Sequence, residues 1–258
     1  MRTDAQRLEH ARHFKYRAAV DGLRGVAVLA VLAFHAFPRT VSGGYIGVDV
    51  FFVISGFLIT SIIARQLSHE DFSFGDFYWR RVRRLFPALV LVLASSLTLG
   101  WFLLLPDEFE QLGKHATAAS MFAANFVFWR ESGYFDVAAE FKPLLHLWSL
   151  GIEEQFYLLW PALLVTLWRR RTLLIVVVSV LVIVSFTLSA ALSTRAPLAN
   201  FYSPFTRFWE LGAGCLLALV KEYPSRDRKY RVQECRGTTP LQSHAQFETG
   251  RILLHQGE

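Results

Sequence analysis

The sequence predicts an all-α polytopic membrane protein of about six transmembrane helices plus one short re-entrant or interfacial segment. Three observations carry that expectation. Of the 258 residues 53% are hydrophobic and only 19% charged, more apolar and less charged than a soluble domain of this size. The apolar residues gather in runs of about 20, the length a helix needs to cross a bilayer core. The sequence lacks ten-residue strands of alternating polarity, the pattern of a transmembrane barrel.

The runs occupy 20–37, 45–63, 86–105, 147–168, 172–192 and 204–221. A seventh stretch, 116–129 (ATAASMFAANFVFW), is short for a crossing and suits an interfacial or re-entrant segment. Basic residues then set the topology. Arg2, Arg7, Arg12, Lys15 and Arg17 precede the first run, Arg65, Arg80, Arg81, Arg83 and Arg84 lie between the second and third, and Arg169, Arg170 and Arg171 follow the fourth. The loops at 38–44, 106–115 and 193–203 carry only Arg39, Lys114 and Arg195 as strong bases. With six crossings, the positive-inside rule places both termini and the arginine-rich loops in the cytoplasm.

The net charge of +6 is thereby assigned to topology and anionic lipid, not to nucleic acid. The polar segment 1–19 leads into a run that carries Arg24 and has no small-residue cleavage site, so it reads as a retained span rather than a signal peptide. Cys215 lies in a run and Cys235 in a tail, which makes a disulfide framework improbable. No Cys and His spacing suits a metal. From 222 to 258 the chain is polar without sustained apolar period and reads as a disordered tail.

Ionisable groups inside spans are costly and mark candidate sites. Arg24 and His35 are separated by eleven residues, which leaves them about 20° apart around a helix and about 16 Å apart along it. Histidine can remove a proton from a hydroxyl, and arginine can hold a phosphate or carboxylate. The competing reading is a histidine bonded to neighbouring backbone and an arginine snorkelling to the interface. Asp49, in GGYIGVDVFFVISGFLIT, lies near the same end as His35 and would either orient it or cap its own helix. In the same run Ser55 and Gly56 permit close helix contact, and no elbow-type motif around Ser55 supports it as a nucleophile.

In FYWRRVRRLFP, Arg81 and Arg84 share a helix face and could meet the phosphates of a cytosolic donor, or serve topology and lipid alone. In LLHLWSLGIEEQFYLLWP, His146 and Glu153 fall on nearly one face, and Glu153 and Glu154 need a partner or a cavity. Arg207 and Glu210, three apart, read as a structural ion pair.

Five segments in order, YRAAVDGLRGVAVLAVLAFH, GGYIGVDVFFVISGFLIT, FYWRRVRRLFP, ESGYFDVAAEFKPLLHLWSLGIEEQFYLLWP and RFWELGAGCLLAL, resemble the acyltransferase-3 family of membrane O-acyltransferases over about residues 16–220. The resemblance implies O-acetylation of a cell-surface polysaccharide or its lipid-linked precursor, in the bacterial inner membrane. The implied acyl donor is cytosolic acetyl-CoA, with no metal. The family's Arg-x10-His motif falls on Arg24 and His35, its arginine pair on Arg81 and Arg84, its second-span acid on Asp49 and its acidic helix motif on Glu153 and Glu154. On that basis His35, Asp49 and Glu154 are the expected catalytic residues, and Arg24, Arg81 and Arg84 the expected donor-binding residues.

The family also implies about ten spans and, in the subgroup that the fourth segment resembles, an extracytoplasmic SGNH-type domain. Against that pattern 20–221 reads as a partial membrane domain of a C-terminally truncated form, and the tail from Lys221 onward as interrupted or frame-shifted, which leaves the activity of this chain open. Two further readings stand beside this one: a transporter or flippase of acyl groups or sugar-lipid without covalent chemistry, and a non-catalytic scaffold.

Overall fold

The computed structural model describes residues 18–131 and 142–237, with side chains over 19–131 and 142–221. Among them every regular element is a helix. They run α1 (Ala18–Ala36), α2 (Ile46–Ser68), α3 (Phe74–Leu103), α4 (Pro106–Ser120), α5 (Ala124–Glu131), α6 (Leu147–Leu167), α7 (Arg171–Arg195), α8 (Pro197–Tyr202) and α9 (Pro204–Gly237). The chain divides into two units, 1–219 and 220–258, and all that follows concerns the first. The basic N-terminal residues through Arg17, and residues 238–258 of the expected tail, lie outside the described residues.

Among the described residues, four helices are long and apolar enough to cross a membrane: Ala19–Ala36, Ile46–Ser68, Phe74–Leu103 and Arg171–Arg195. The runs at 147–168 and 204–221 also form helices, α6 and the first part of α9. They carry Glu153, Glu154, Arg207 and Glu210, which lower their hydropathy. Where the sequence reading ended the membrane part at 221, α9 continues to Gly237.

The third span begins earlier than its apolar run. Ser73 caps α3 by accepting from the Asp76 N–H at 3.4 Å. Arg80, Arg81, Arg83 and Arg84 therefore lie on helix, not in the loop where the sequence reading put them.

The stretch 116–129 is split between α4 and α5, which have 15 and 8 residues. Each is shorter than the ~20 residues a crossing needs. The break falls at Phe122, a non-glycine residue with φ 54°. Gln155 of α6 holds it in place, donating to the Phe122 carbonyl at 2.8 Å and to Asn125 Oδ1 at 2.9 Å. Asn125 in turn donates to the Tyr202 carbonyl at 3.1 Å.

The core draws on every helix from α2 to α9. Phe52, Ile59 and Ile63 of α2 join Ile152, Phe156, Trp160 and Leu164 of α6 and Leu211 and Cys215 of α9. α1 lies outside this core and buries a single side chain, Ala27. Helices in lipid gain little from apolar burial against each other, so close backbone approach decides their packing. Gly56 and Gly214 supply it between α2 and α9. A Cβ at 56 would collide with the Leu211 carbonyl, and one at 214 with the Val53 carbonyl. Gly56→Ala is therefore expected to cost about 1–3 kcal/mol as an overpacked contact. Thermal unfolding of the detergent-solubilised protein checks it: a melting temperature equal to wild type would mean the helices yield without cost.

Candidate active site

Side-chain bonds between helices fix their directions. Ser55 meets Glu153 and Thr60 meets Trp160, so α2 and α6 run the same way. Arg81 meets Glu154 and Tyr78 meets the Leu158 carbonyl, so α3 runs against them. The short connection between α1 and α2, together with the Arg207–Asp49 bond, brings the end of α1 and the starts of α2, α6 and α9 to one end of the bundle.

His35 and His146 stand at that end. The His35 ring is exposed, and its Nδ1 bonds the Val31 carbonyl one turn back at 2.8 Å. His146 occupies the cap position of α6 without a capping bond. Packed neighbours desolvate His146 and push its imidazole below the ordinary histidine value; the charge of nearby His35 acts the same way, against a hydrogen bond to the Pro143 carbonyl.

Next comes an ion cluster. Arg207 on α9 donates to Asp49 Oδ1 at 3.0 Å and to Glu210 Oε1 at 2.9 Å, and its Nε donates to the Phe201 carbonyl at 3.3 Å. The guanidinium also lies over the Phe201 ring at 5.2 Å. Glu210 is 1% exposed, and its second oxygen has no hydrogen-bond partner. A buried carboxylate of this kind is tolerable only beside a cation.

Deeper in the bundle, Ser55 donates to Glu153 Oε1 at 3.0 Å and Tyr157 to Glu153 Oε2 at 3.3 Å. Arg81 pairs with Glu154 at 2.6 Å and lies 3.6 Å above the Tyr157 ring. Ser55, Arg81, Glu153 and Glu154 are all half-buried.

The expected site residues are thus distributed over three levels. His35 has no bond to Asp49, which is taken by Arg207. The anticipated Arg207–Glu210 pair is present and enlarged by Asp49. Arg81 turns inward to Glu154, whereas Arg84 stays exposed on α3; Arg24 is half-buried on α1. Neither Arg24 nor Arg84 forms an ion pair among the described residues.

A further cluster was not anticipated. His115, 3% exposed, meets Glu131 Oε2 at 2.7 Å, and Lys142 Nζ lies 3.8 Å from the same oxygen. These three residues come from separate segments with no common period. The only sequence signal was a charged residue at each end of the stretch between α5 and α6.

An all-helical membrane bundle that holds a column of paired acids, arginines and two imidazoles defines the class of this protein. The profile of the acyltransferase-3 family, described as an acyltransferase domain, matches residues 17–235, and the chain belongs to that family. The matched range runs beyond Val220, where the resemblance read from the sequence ended.

Among the relatives, the Bacillus subtilis protein YrhL is 40% identical over 218 residues, which are 81% of this chain and 34% of that protein. The peptidoglycan O-acetyltransferase OatA of Listeria monocytogenes is 38% identical over 213 residues, 80% of this chain and 34% of the relative. The O-acetyltransferase OatA of Staphylococcus aureus is 35% identical over 228 residues, 84% of this chain and 37% of the relative. The chain thus spans about a third of the length of these curated relatives. No solved structure matches it.

Proposed function

We propose that the chain is an O-acyltransferase of the bacterial inner membrane, with its N-terminus cytoplasmic, that transfers acetyl from acetyl-CoA to a hydroxyl of a cell-surface polysaccharide or its lipid-linked precursor. Family membership supports the chemistry, and the names of the OatA relatives favour peptidoglycan as the acceptor. The observation that carries the reading is the meeting of His35 and His146, from separate helices, at one end of a bundle whose interior is lined with ionisable groups.

In this reading His35 removes the acceptor's hydroxyl proton, a step that a positioned imidazole performs near neutral pH. Asp49 serves it through Arg207, whose position fixes the adjoining helix ends, and not by a direct bond. Arg84 and Arg24 meet the CoA phosphates, joined by Arg81, whose fork is oriented by Glu154. Labelled acetyl-CoA given to membranes containing the chain should acetylate an added peptidoglycan precursor and release free CoA. Movement of label across the membrane without CoA release would instead establish a transporter.

The lowered His146 fixes the sign of one pH effect. A depressed imidazole stays neutral at neutral pH and takes its proton only as pH falls below about 6.5. Neutral, His146 keeps a ring nitrogen that can accept a hydrogen bond from the acceptor hydroxyl while His35 takes its proton; protonated, it has none. The acid limb set by His146 therefore lies below the ordinary histidine range, and His146→Gln removes it from the rate profile. A profile unchanged by that substitution would exclude His146 from the step.

A further inference from the structure

The meeting of His115, Glu131 and Lys142 has no part in the mechanism above, yet it stands beside one of its imidazoles. Phe122, at the break before α5, lies against the second turn of α6, where a Cβ on Gly151 would come within 3.0 Å of the Phe122 carbonyl. Glu131, the last residue of α5, lies against Lys142, which precedes α6. So α5 runs against α6 and ends beside the residues that lead into it. Three ionisable side chains gather there. His115 and Lys142 are buried, and both face Glu131 Oε2. Taking a lysine out of water is costly unless an anion receives it, so the Glu131 carboxylate holds Lys142 in place. The Lys142 ammonium also lies over the Phe128 ring of α5, 5.9 Å from its centre.

His146 follows Lys142 four positions later, and the backbone between them is tightly turned. The Leu145 N–H donates to the Lys142 carbonyl, the Leu147 N–H to the Leu144 carbonyl and the Trp148 N–H to the Leu145 carbonyl, each at 3.0 Å. Leu144 is fully buried and pins the middle of the turn. The His146 imidazole then bonds back to the carbonyl of Pro143, the residue next to Lys142. A neutral imidazole that donates one ring N–H to a carbonyl keeps its other nitrogen as an acceptor, and the carbonyl sets the direction in which that nitrogen points. In the mechanism above, that nitrogen is the one offered to the acceptor hydroxyl.

We propose that Lys142 and Glu131, supported by His115, are positioning residues for His146: they fix the turn whose Pro143 carbonyl aims the imidazole. The inference rests on the O-acyltransferase reading and on the place of His146 in it. The chain of contact runs from Glu131 to Lys142, along the backbone to Pro143, and from there to the His146 ring. Lys142→Met keeps most of the side chain's length and removes its charge. Because a misplacement of about 1 Å in a group that meets the reacting atoms can cost up to ~100-fold, this substitution is expected to lower acetyl transfer about tenfold per unit of folded protein.

A double-mutant cycle with His146→Ala separates positioning from a general loss of structure. Membranes containing the full chain, unchanged or with Lys142→Met, His146→Ala or both, are given labelled acetyl-CoA and a peptidoglycan precursor. Label entering the acceptor is divided by the amount of protein that remains folded in detergent. Without His146 there is no imidazole to aim, so in that background Lys142→Met should lower transfer by less than about twofold. Glu131→Gln, which keeps the shape of the carboxylate, should repeat the result, and it decides the matter if Lys142→Met does not accumulate. Losses that multiply, a Lys142→Met chain as active as wild type, or a His146→Ala chain as active as wild type each overturn the positioning role and leave the O-acyltransferase reading intact. No transfer by the wild-type chain overturns both.

Discussion

His35→Ala is expected to lower acetyl transfer to the acceptor by about 10²–10⁴-fold, the usual contribution of a positioned general base. Accumulation of the protein should not change. The His35 ring is exposed at the end of α1 and bonds only the Val31 carbonyl of its own helix, so its removal opens no cavity and strands no buried partner. His35→Gln should be as inactive, since an amide can keep a hydrogen bond but cannot take a proton at neutral pH. Transfer is measured as label entering the acceptor per unit of immunodetected protein. A His35→Ala chain with wild-type transfer would reduce α1 to a lipid-facing anchor and end the case for a base at this position.

Arg207→Ala should have the opposite profile, with protein lost before activity can be judged. Arg207 is the shared cation of Asp49 and Glu210, and it also binds the Phe201 carbonyl near the end of α8. Removing it leaves one carboxylate almost fully buried and another half-buried without their cation. Breaking a buried pair in this way costs about 3–5 kcal/mol. The expected result is a sharp fall in melting temperature in detergent and in the amount retained in membranes. Arg207→Leu combined with Glu210→Leu should recover much of the loss, because a buried charge pair can be exchanged for apolar side chains at little cost. If Arg207→Ala melts like wild type, the cluster is not what ties α9 to α2.

The parts of this molecule legible in its sequence are those in which one residue type repeats along one helix. Runs of leucine, valine and phenylalanine announce α1, α2 and α7, because lipid imposes an unbroken apolar requirement over about 20 residues. The start of α3 was hidden for the same reason. Its first turns carry four arginines, and an apolar run locates the membrane rather than the helix.

Side-chain pairings were legible only where they fall within one turn of a single helix. Arg207–Glu210 was visible at its spacing of three, but the Asp49 that shares Arg207 is 158 positions away. Nothing local marks it. The same holds for Ser55 and Glu153, which are 98 positions apart and were separately noticed for different reasons. His35 and Asp49 were expected to pair because they flank one short loop; the structure shows that proximity of helix ends does not choose partners when an arginine competes. A carboxylate within a bundle takes the permanent cation over an imidazole.

The contact between Glu131 and Lys142 has a practical consequence. The ten intervening positions, 132–141, leave and return at residues whose side chains are only 3.8 Å apart, with buried His115 on the same carboxylate oxygen. Glu131 and Lys142, with His115, thus tie the two ends to each other. An epitope or protease site grafted there would report which side of the membrane this end of the bundle faces, without loosening the helices it was inserted to map.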